Sequence, residues 1–192
     1  MDLATLQHHS RFQVTQRITL MINRYEVRAG DGDELVAFVE QKRAAFKEQV
    51  TLYADQDRQQ VLAGFRARQI LDVGATYDVT ASDGTPIGLF RKDFAKSLAR
   101  STWHLEQPDL GTATGSERSL GIALARRAWE LVADFPFPIP YHFDFNLDGQ
   151  RVVTVEKKIG IKDRYVVTAE HPGIDRRLVL AQAIALDALQ SR

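Results

Sequence analysis

Ile174-Asp175-Arg176-Arg177-Leu178-Val179-Leu180-Ala181-Gln182-Ala183-Ile184-Ala185-Leu186-Asp187-Ala188-Leu189 is the stretch on which the fold turns. Its residues form helices readily, and its apolar side chains recur on every side of a helix rather than along one stripe. The polar interruptions Gln182 and Asp187 lie about 140° apart around a helix, so they make no common polar face. A helix without a polar face must be enclosed. At about 1.5 Å per residue it is roughly 24 Å long, a match for the lumen of a barrel. The run from Leu178 to Leu189 falls short of the roughly 20 residues that a membrane span requires.

Upstream, much of the chain alternates with a period of two between short polar turns, as half-buried antiparallel strands do. Ile18, Leu20 and Ile22 share one parity while Tyr25 and Val27 take the other, which predicts a bend near Asn23-Arg24. Leu35 to Val39 is continuously apolar; Val50, Leu52 and Ala54 alternate, as do Val61, Ala63, Phe65 and Ala67, and then Tyr77, Val79 and Ala81. Asp31-Gly32, Asp83-Gly84 and Asp148-Gly149 are hairpin signals, because these residues tolerate positive φ. Ile87 to Phe90, a helical turn near Phe94 to Leu98, and a strand about Trp103 and Leu105 follow. Gly111 to Ser116 reads as a small-residue loop, with Thr114 and Glu117 capping an amphipathic helix that covers 117–133 and ends before Pro136. Tyr141, Phe143, Phe145 and Leu147 alternate most cleanly, with strands about Val153 and Val155 and about Tyr165 and Val167 after them.

The expected fold is mainly β: a closed antiparallel β-barrel of about twelve strands enclosing a hydrophobic C-terminal helix, with one additional amphipathic helix. One domain is expected over residues 1–192, with residues 1–11 frayed. The alternative is a β-sandwich carrying the helix on one face.

Twenty-five basic and 25 acidic residues cancel, so no global field draws the molecule to nucleic acid, and any anion contact must be local. There is no cysteine, which removes disulfides, thiol nucleophiles and cysteine-rich zinc sites. The N-terminus has no cationic start leading into an apolar run, so no secretory signal is read there. A cytoplasmic location, peripheral at the membrane, is expected.

Phe38-Val39-Glu40-Gln41-Lys42, Tyr77-Asp78-Val79, Asp83-Gly84, Ile87-Gly88, Arg91-Lys92, Ser97-Leu98 and Ser101-Thr102-Trp103, followed by the apolar C-terminal helix, resemble the LURP-one-related family. That family is similar in fold to tubby C-terminal domains and phospholipid scramblases. The resemblance runs from about Ile18 to Leu189 and implies a twelve-stranded barrel around a central helix. Its relatives include phosphoinositide-binding and lipid-transporting proteins, but function does not transfer by fold. The chain lacks the cysteine-rich segment of the scramblases and carries a helix about Leu120 to Val132 without a counterpart.

No Gly-x-Ser-x-Gly elbow, nucleotide-binding Gly-x-x-x-x-Gly-Lys-Ser/Thr loop or His-Glu-x-x-His helix occurs. No catalytic residue, metal or cofactor is expected. His8 and His9 read as an exposed pair. Alternation places His142 and Asp144 on one strand face, an acid–base pair without a visible third member. Asp31 to Glu34 is too short for an EF-hand loop. Two basic clusters remain as candidate ligand-binding residues: Arg91, Lys92, Lys96 and Arg100, and Lys157, Lys158, Lys162 and Arg164. Arg66 and Arg68 share a face through alternation. Convergent cations of this kind suit a phosphate headgroup. The expectation is a non-catalytic binding module for an anionic phospholipid headgroup or phosphorylated small molecule. The alternatives are an enzyme at the barrel mouth using His142 with Asp144 or His104, and an interaction protein using the amphipathic helix and Trp129. Nucleic acid and a transmembrane segment are not expected.

Overall fold

Alternating residues fold as strands because a pleated chain sends successive side chains to opposite faces. The computed structural model describes residues 3–18, 22–42, 50–68, 76–93, 101–119, 121, 142–158 and 164–190. Its strands are β1 (Arg11–Ile18), β2 (Ile22–Ala29), β3 (Leu35–Lys42), β4 (Val50–Tyr53), β5 (Val61–Ala67) and β6 (Thr76–Ala81), then β7 (Pro86–Asp93), β8 (Thr102–Gln107), β9 (Gly111–Glu117), β10 (His142–Leu147), β11 (Gln150–Lys158) and β12 (Arg164–Ala169). Helices α1 (Leu3–His8) and α2 (Arg176–Gln190) flank them. Each strand pairs antiparallel with the next, and β12 returns to β1 through a register running from Arg11↔Thr168 to Thr15↔Arg164. Closure leaves no edge strand exposed.

An up-and-down barrel has two unlike ends. The even-to-odd connections are tight: Asp148 (φ 50°) and Gly149 (φ 80°) both take the positive φ of a two-residue hairpin. At Asp83-Gly84 the carboxylate accepts the Thr85 amide at 2.9 Å, and this bond lowers the Asp83 pKa. The odd-to-even connections leave from the other end, called the loop end below.

Most core side chains come from one parity of each strand, while Val36, Leu62, Ile87 and Val152 of the other parity are buried as well. Phe65, Tyr77, Phe90 and Trp103 form a run of aromatic contacts, with Tyr77 stacked on Phe90 at 5.0 Å. Phe145 lies over Gly115, its cross-strand partner, where a side chain would collide with the ring. Gly88 is equally constrained: a methyl there would overlap the Glu106 carbonyl oxygen and come within 2.9 Å of Leu178 Cδ2.

Asp175 caps α2, accepting the Arg177 amide at 2.8 Å. Every residue from Leu178 to Leu186 is buried, Gln182 included. The helix touches β5, β7 and β12. In the ring β12 stands five strands from β5 and five from β7, so these contacts lie on opposite sides.

Four expectations are corrected. From Leu3 onward the N-terminal segment is built into the fold rather than frayed: α1 spans Leu3–His8 and Leu6 is fully buried. Gln7 ties it to α2, donating to Asp175 at 3.0 Å and accepting the Arg176 amide at 3.2 Å. Arg176 is itself buried and donates to the carbonyls of His9, His171 and Ile174, while burial pushes its guanidinium below the ordinary value. Second, Ile18 and Ile22 belong to different strands, paired through Ile18↔Asn23, which explains the parity change without a bend at Asn23-Arg24; the irregularity in β2 falls between Val27 and Arg28. Third, Gly111 to Ser116 is not a loop but most of β9, because small residues fit beneath Phe145 and pair on both sides. Fourth, Thr114 and Glu117 therefore form no capping box: the Thr114 hydroxyl meets His104 and Glu117 is buried at the strand end. Most of the expected helix over 117–133, with Trp129, lies outside the described residues, as does Phe94 to Leu98.

Candidate anionic-ligand site at the loop end of the barrel

The register carries the described members of both basic clusters, Arg91, Lys92, Lys157, Lys158 and Arg164, to the same end of the barrel. Asp93 of β7 pairs with Thr102, Thr102 with Ser116, Glu117 with Phe143, His142 with Glu156, and Lys158 with Arg164. These residues form one continuous rim at the loop end. Lys96, Arg100 and Lys162 lie outside the described residues, in the stretches between β7 and β8 and between β11 and β12.

The pleat splits each adjacent pair. Arg91 is exposed on the outer face, but Lys92 stands opposite the fully buried Trp103, with Nζ 6.0 Å from the ring centroid. Lys157 likewise stands opposite buried Tyr165, 5.4 Å from its ring, whereas Lys158 is exposed. Lys92 and Lys157 therefore belong to the core face of the barrel mouth, in cation–π range of their aromatic partners. That mouth is polar: Glu117, Gln16 and Gln41 are buried there, and Gln16 donates to the Tyr25 hydroxyl at 3.1 Å. At the turn end the same face carries Phe12, Ala29, Ala113, Val153 and Ala169, all buried. The outward cations are Arg91, Lys158 and Arg164, the last two facing each other across β11 and β12.

Part of this charge is already paired. Lys158 Nζ donates to Glu156 at 2.7 Å, holding that carboxyl below its ordinary value. Arg118 grips Asp144 through two hydrogen bonds of 2.7 Å, and this grip lowers the Asp144 pKa. Arg68 grips Asp78 at 2.7 to 3.0 Å, while Arg66 is exposed.

His104 and His142 stand apart. His104 is buried between the Thr114 hydroxyl on Nδ1 and Asp93 on Nε2, each at 3.2 Å. Register puts His104 level with Asn146, four residues along β10 from His142; strand rise and spacing make that separation about 16 Å. His142 and Asp144 do share a half-exposed face, but the carboxylate is engaged by Arg118. Among the described residues no three or more His, Cys, Asp or Glu are grouped to hold a metal ion.

One feature of the charge pattern was not anticipated. The connections 30–34, 54–60, 82–85, 108–110 and 148–149, with the 170–175 join to α2, all lie at the turn end. They contain Asp31, Asp33, Glu34, Asp55, Asp57, Asp83, Asp109, Asp148, Glu170 and Asp175 against the single Arg58. Arg11, Arg28, Arg151, Arg176 and Arg177 border these connections and bond to them, so ten negative charges against six positive leave four in excess at this end; since the chain is neutral, the rest of it carries four positive. The signal was present as acid in every second turn, but it acquires meaning only when strand order assigns those turns to one end.

Comparison with curated proteins and with solved structures finds no match. The profile of the LURP-one-related family matches residues 35–187, from β3 into α2. With that match extending over most of the barrel, the chain belongs to the LURP-one-related family.

Proposed function

We propose that this chain is a non-catalytic binding module for an anionic, phosphate-bearing ligand, with its affinity at the loop end of the barrel. The observation supporting this reading is the register that gathers Arg91 with Lys158 and Arg164 on one rim, while the acidic turns lie at the other end. We take the whole chain as a single domain with α2 as its inner pillar, since its residues Leu178 to Leu186 are all buried and it touches strands on opposite sides of the ring. Among the described residues no helix is long and apolar enough to cross a membrane. We place the protein at the cytoplasmic membrane surface, where anionic lipids make a basic rim effective. Co-sedimentation with vesicles containing phosphatidylserine or phosphoinositide, beside binding of soluble inositol phosphates, tests the reading. Binding that fades with salt supports it, and no binding of either ligand at low ionic strength refutes it.

A second reading rests on the sequence Thr114, His104, Asp93, a hydroxyl, imidazole and carboxylate in hydrogen-bond contact across three strands. Labelling of Thr114 by a fluorophosphonate probe, abolished in H104A, would turn the assignment toward hydrolysis.

A further inference from the structure

We propose that the ligand at the loop end is a membrane surface met end-on, with the barrel axis along the bilayer normal, rather than one phosphorylated molecule in a pocket. This deepens the reading above and rests on it.

A single phosphate is clasped by donors that all come within roughly 3 Å of its oxygens. Arg91 on β7 and Lys158 on β11 are four strands apart, roughly 19 Å at the ordinary strand spacing. Both are exposed and project from the outer wall of a closed barrel, so their side chains diverge. Arg164 faces Lys158 and can share a phosphate with it, but Arg91 cannot join them. Arg91 and Lys158 can each meet a different headgroup of a surface that carries many.

With the arginines bonded to its connections counted, the turn end holds four excess negative charges, balanced by four positive elsewhere. A strand such as β11, nine residues long, spans about 22 Å along a barrel axis once strand tilt is allowed for. The Debye length at physiological ionic strength is about 8 Å. End-on, the loop-end cations lie within that length of an anionic surface and the acidic turns lie well beyond it. Side-on, both ends lie within it and the neutral molecule gains nothing. Attraction and orientation are thus the same effect.

A competing account assigns the acidic turns to α2, whose N-terminus lies beside them, as its dipole favours. That account concerns stability and makes no demand on orientation.

The chain has no cysteine, so one introduced thiol carries one label. Gln56→Cys, exposed in a turn-end connection, and Ser116→Cys, half-exposed at the end of β9, each receive an environment-sensitive fluorophore in the full chain. Each is mixed with vesicles of phosphatidylcholine and phosphatidylserine carrying a bilayer-borne quencher. Quenching at Ser116 with none at Gln56, lost together with binding at high salt, is the expected result. Neutralising the far end with D31N, D33N and E34Q should then admit quenching at Gln56. Equal quenching at both positions in the parent overturns the end-on arrangement. Saturable one-to-one binding of inositol hexaphosphate without vesicle binding also overturns it, while leaving the anionic-ligand reading intact; binding of neither probe sinks both.

Discussion

Gly88→Ala places a methyl group where β7 meets both β8 and α2, and its cost can be worked from the contacts. The added Cβ overlaps the Glu106 carbonyl oxygen and sits 2.9 Å from Leu178 Cδ2. The carbonyl cannot swing away freely, because Glu106 pairs with Leu89, one residue on. Leu178 is fully buried among neighbours on every side. Inserting a methylene-sized group into such a core costs about 1 to 3 kcal/mol, and the backbone overlap points to the upper part of that range. For a chain of this size each kcal/mol lowers Tm by about 2 to 4 °C, so a fall of roughly 6 to 12 °C is expected. Urea unfolding with an unchanged m-value would assign the loss to the native state. Leu178→Ala alone should cost about 3 to 5 kcal/mol. Combined with G88A it should cost less than the two single losses together, by about 1 kcal/mol, because the shortened side chain relieves part of the clash. Strict additivity in this cycle, or a G88A protein that melts with the parent, would refute the contact between β7 and α2.

Arg91→Glu and Arg164→Glu should weaken vesicle sedimentation while leaving Tm within about 1 °C, since exposed charges stabilise little; Lys92→Glu and Lys157→Glu, beside buried Trp103 and Tyr165, should instead lower Tm measurably. Leu6→Ala should destabilise by about 2 to 5 kcal/mol by thermal or urea melts, because Leu6 is fully buried beneath α1. Arg118 holds the Asp144 carboxyl below its ordinary value of 3.8, so the stability this pair contributes is present above that pH and lost as pH falls through the lower folded value. The stability gap between parent and D144N, followed by urea melts, should therefore be constant from pH 7 to about 5 and close under stronger acid.

Much of the barrel was legible because its signals are local. Period-two alternation, the Asp-Gly pairs and the unbroken apolarity of Leu178 to Leu186 depend on a few neighbouring residues. The side assignment of the lysines was within reach by the same rule: Lys92 has the parity of Phe90, and Lys157 that of Val155, both fully buried. Reading them as clusters by proximity concealed what alternation separates. The candidate site was legible only as a list of cations, because adjacency along a strand says nothing about which ends of β7 and β11 share a rim.

Local sequence decides the alphabet of strands, tight turns and an apolar C-terminal helix, since backbone periodicity and positive-φ turns are set by nearest neighbours. Tertiary structure decided what local preference underdetermines. Gly111 to Glu117 is a strand because Phe145 needs a partner with no side chain at Gly115, and Leu6 is ordered because α2 offers Asp175 and Arg176 to Gln7. The separation of acid from base in a neutral chain is likewise a product of closure: alternate connections of an antiparallel ring must emerge at opposite ends, and only there do scattered aspartates become one pole of a dipole.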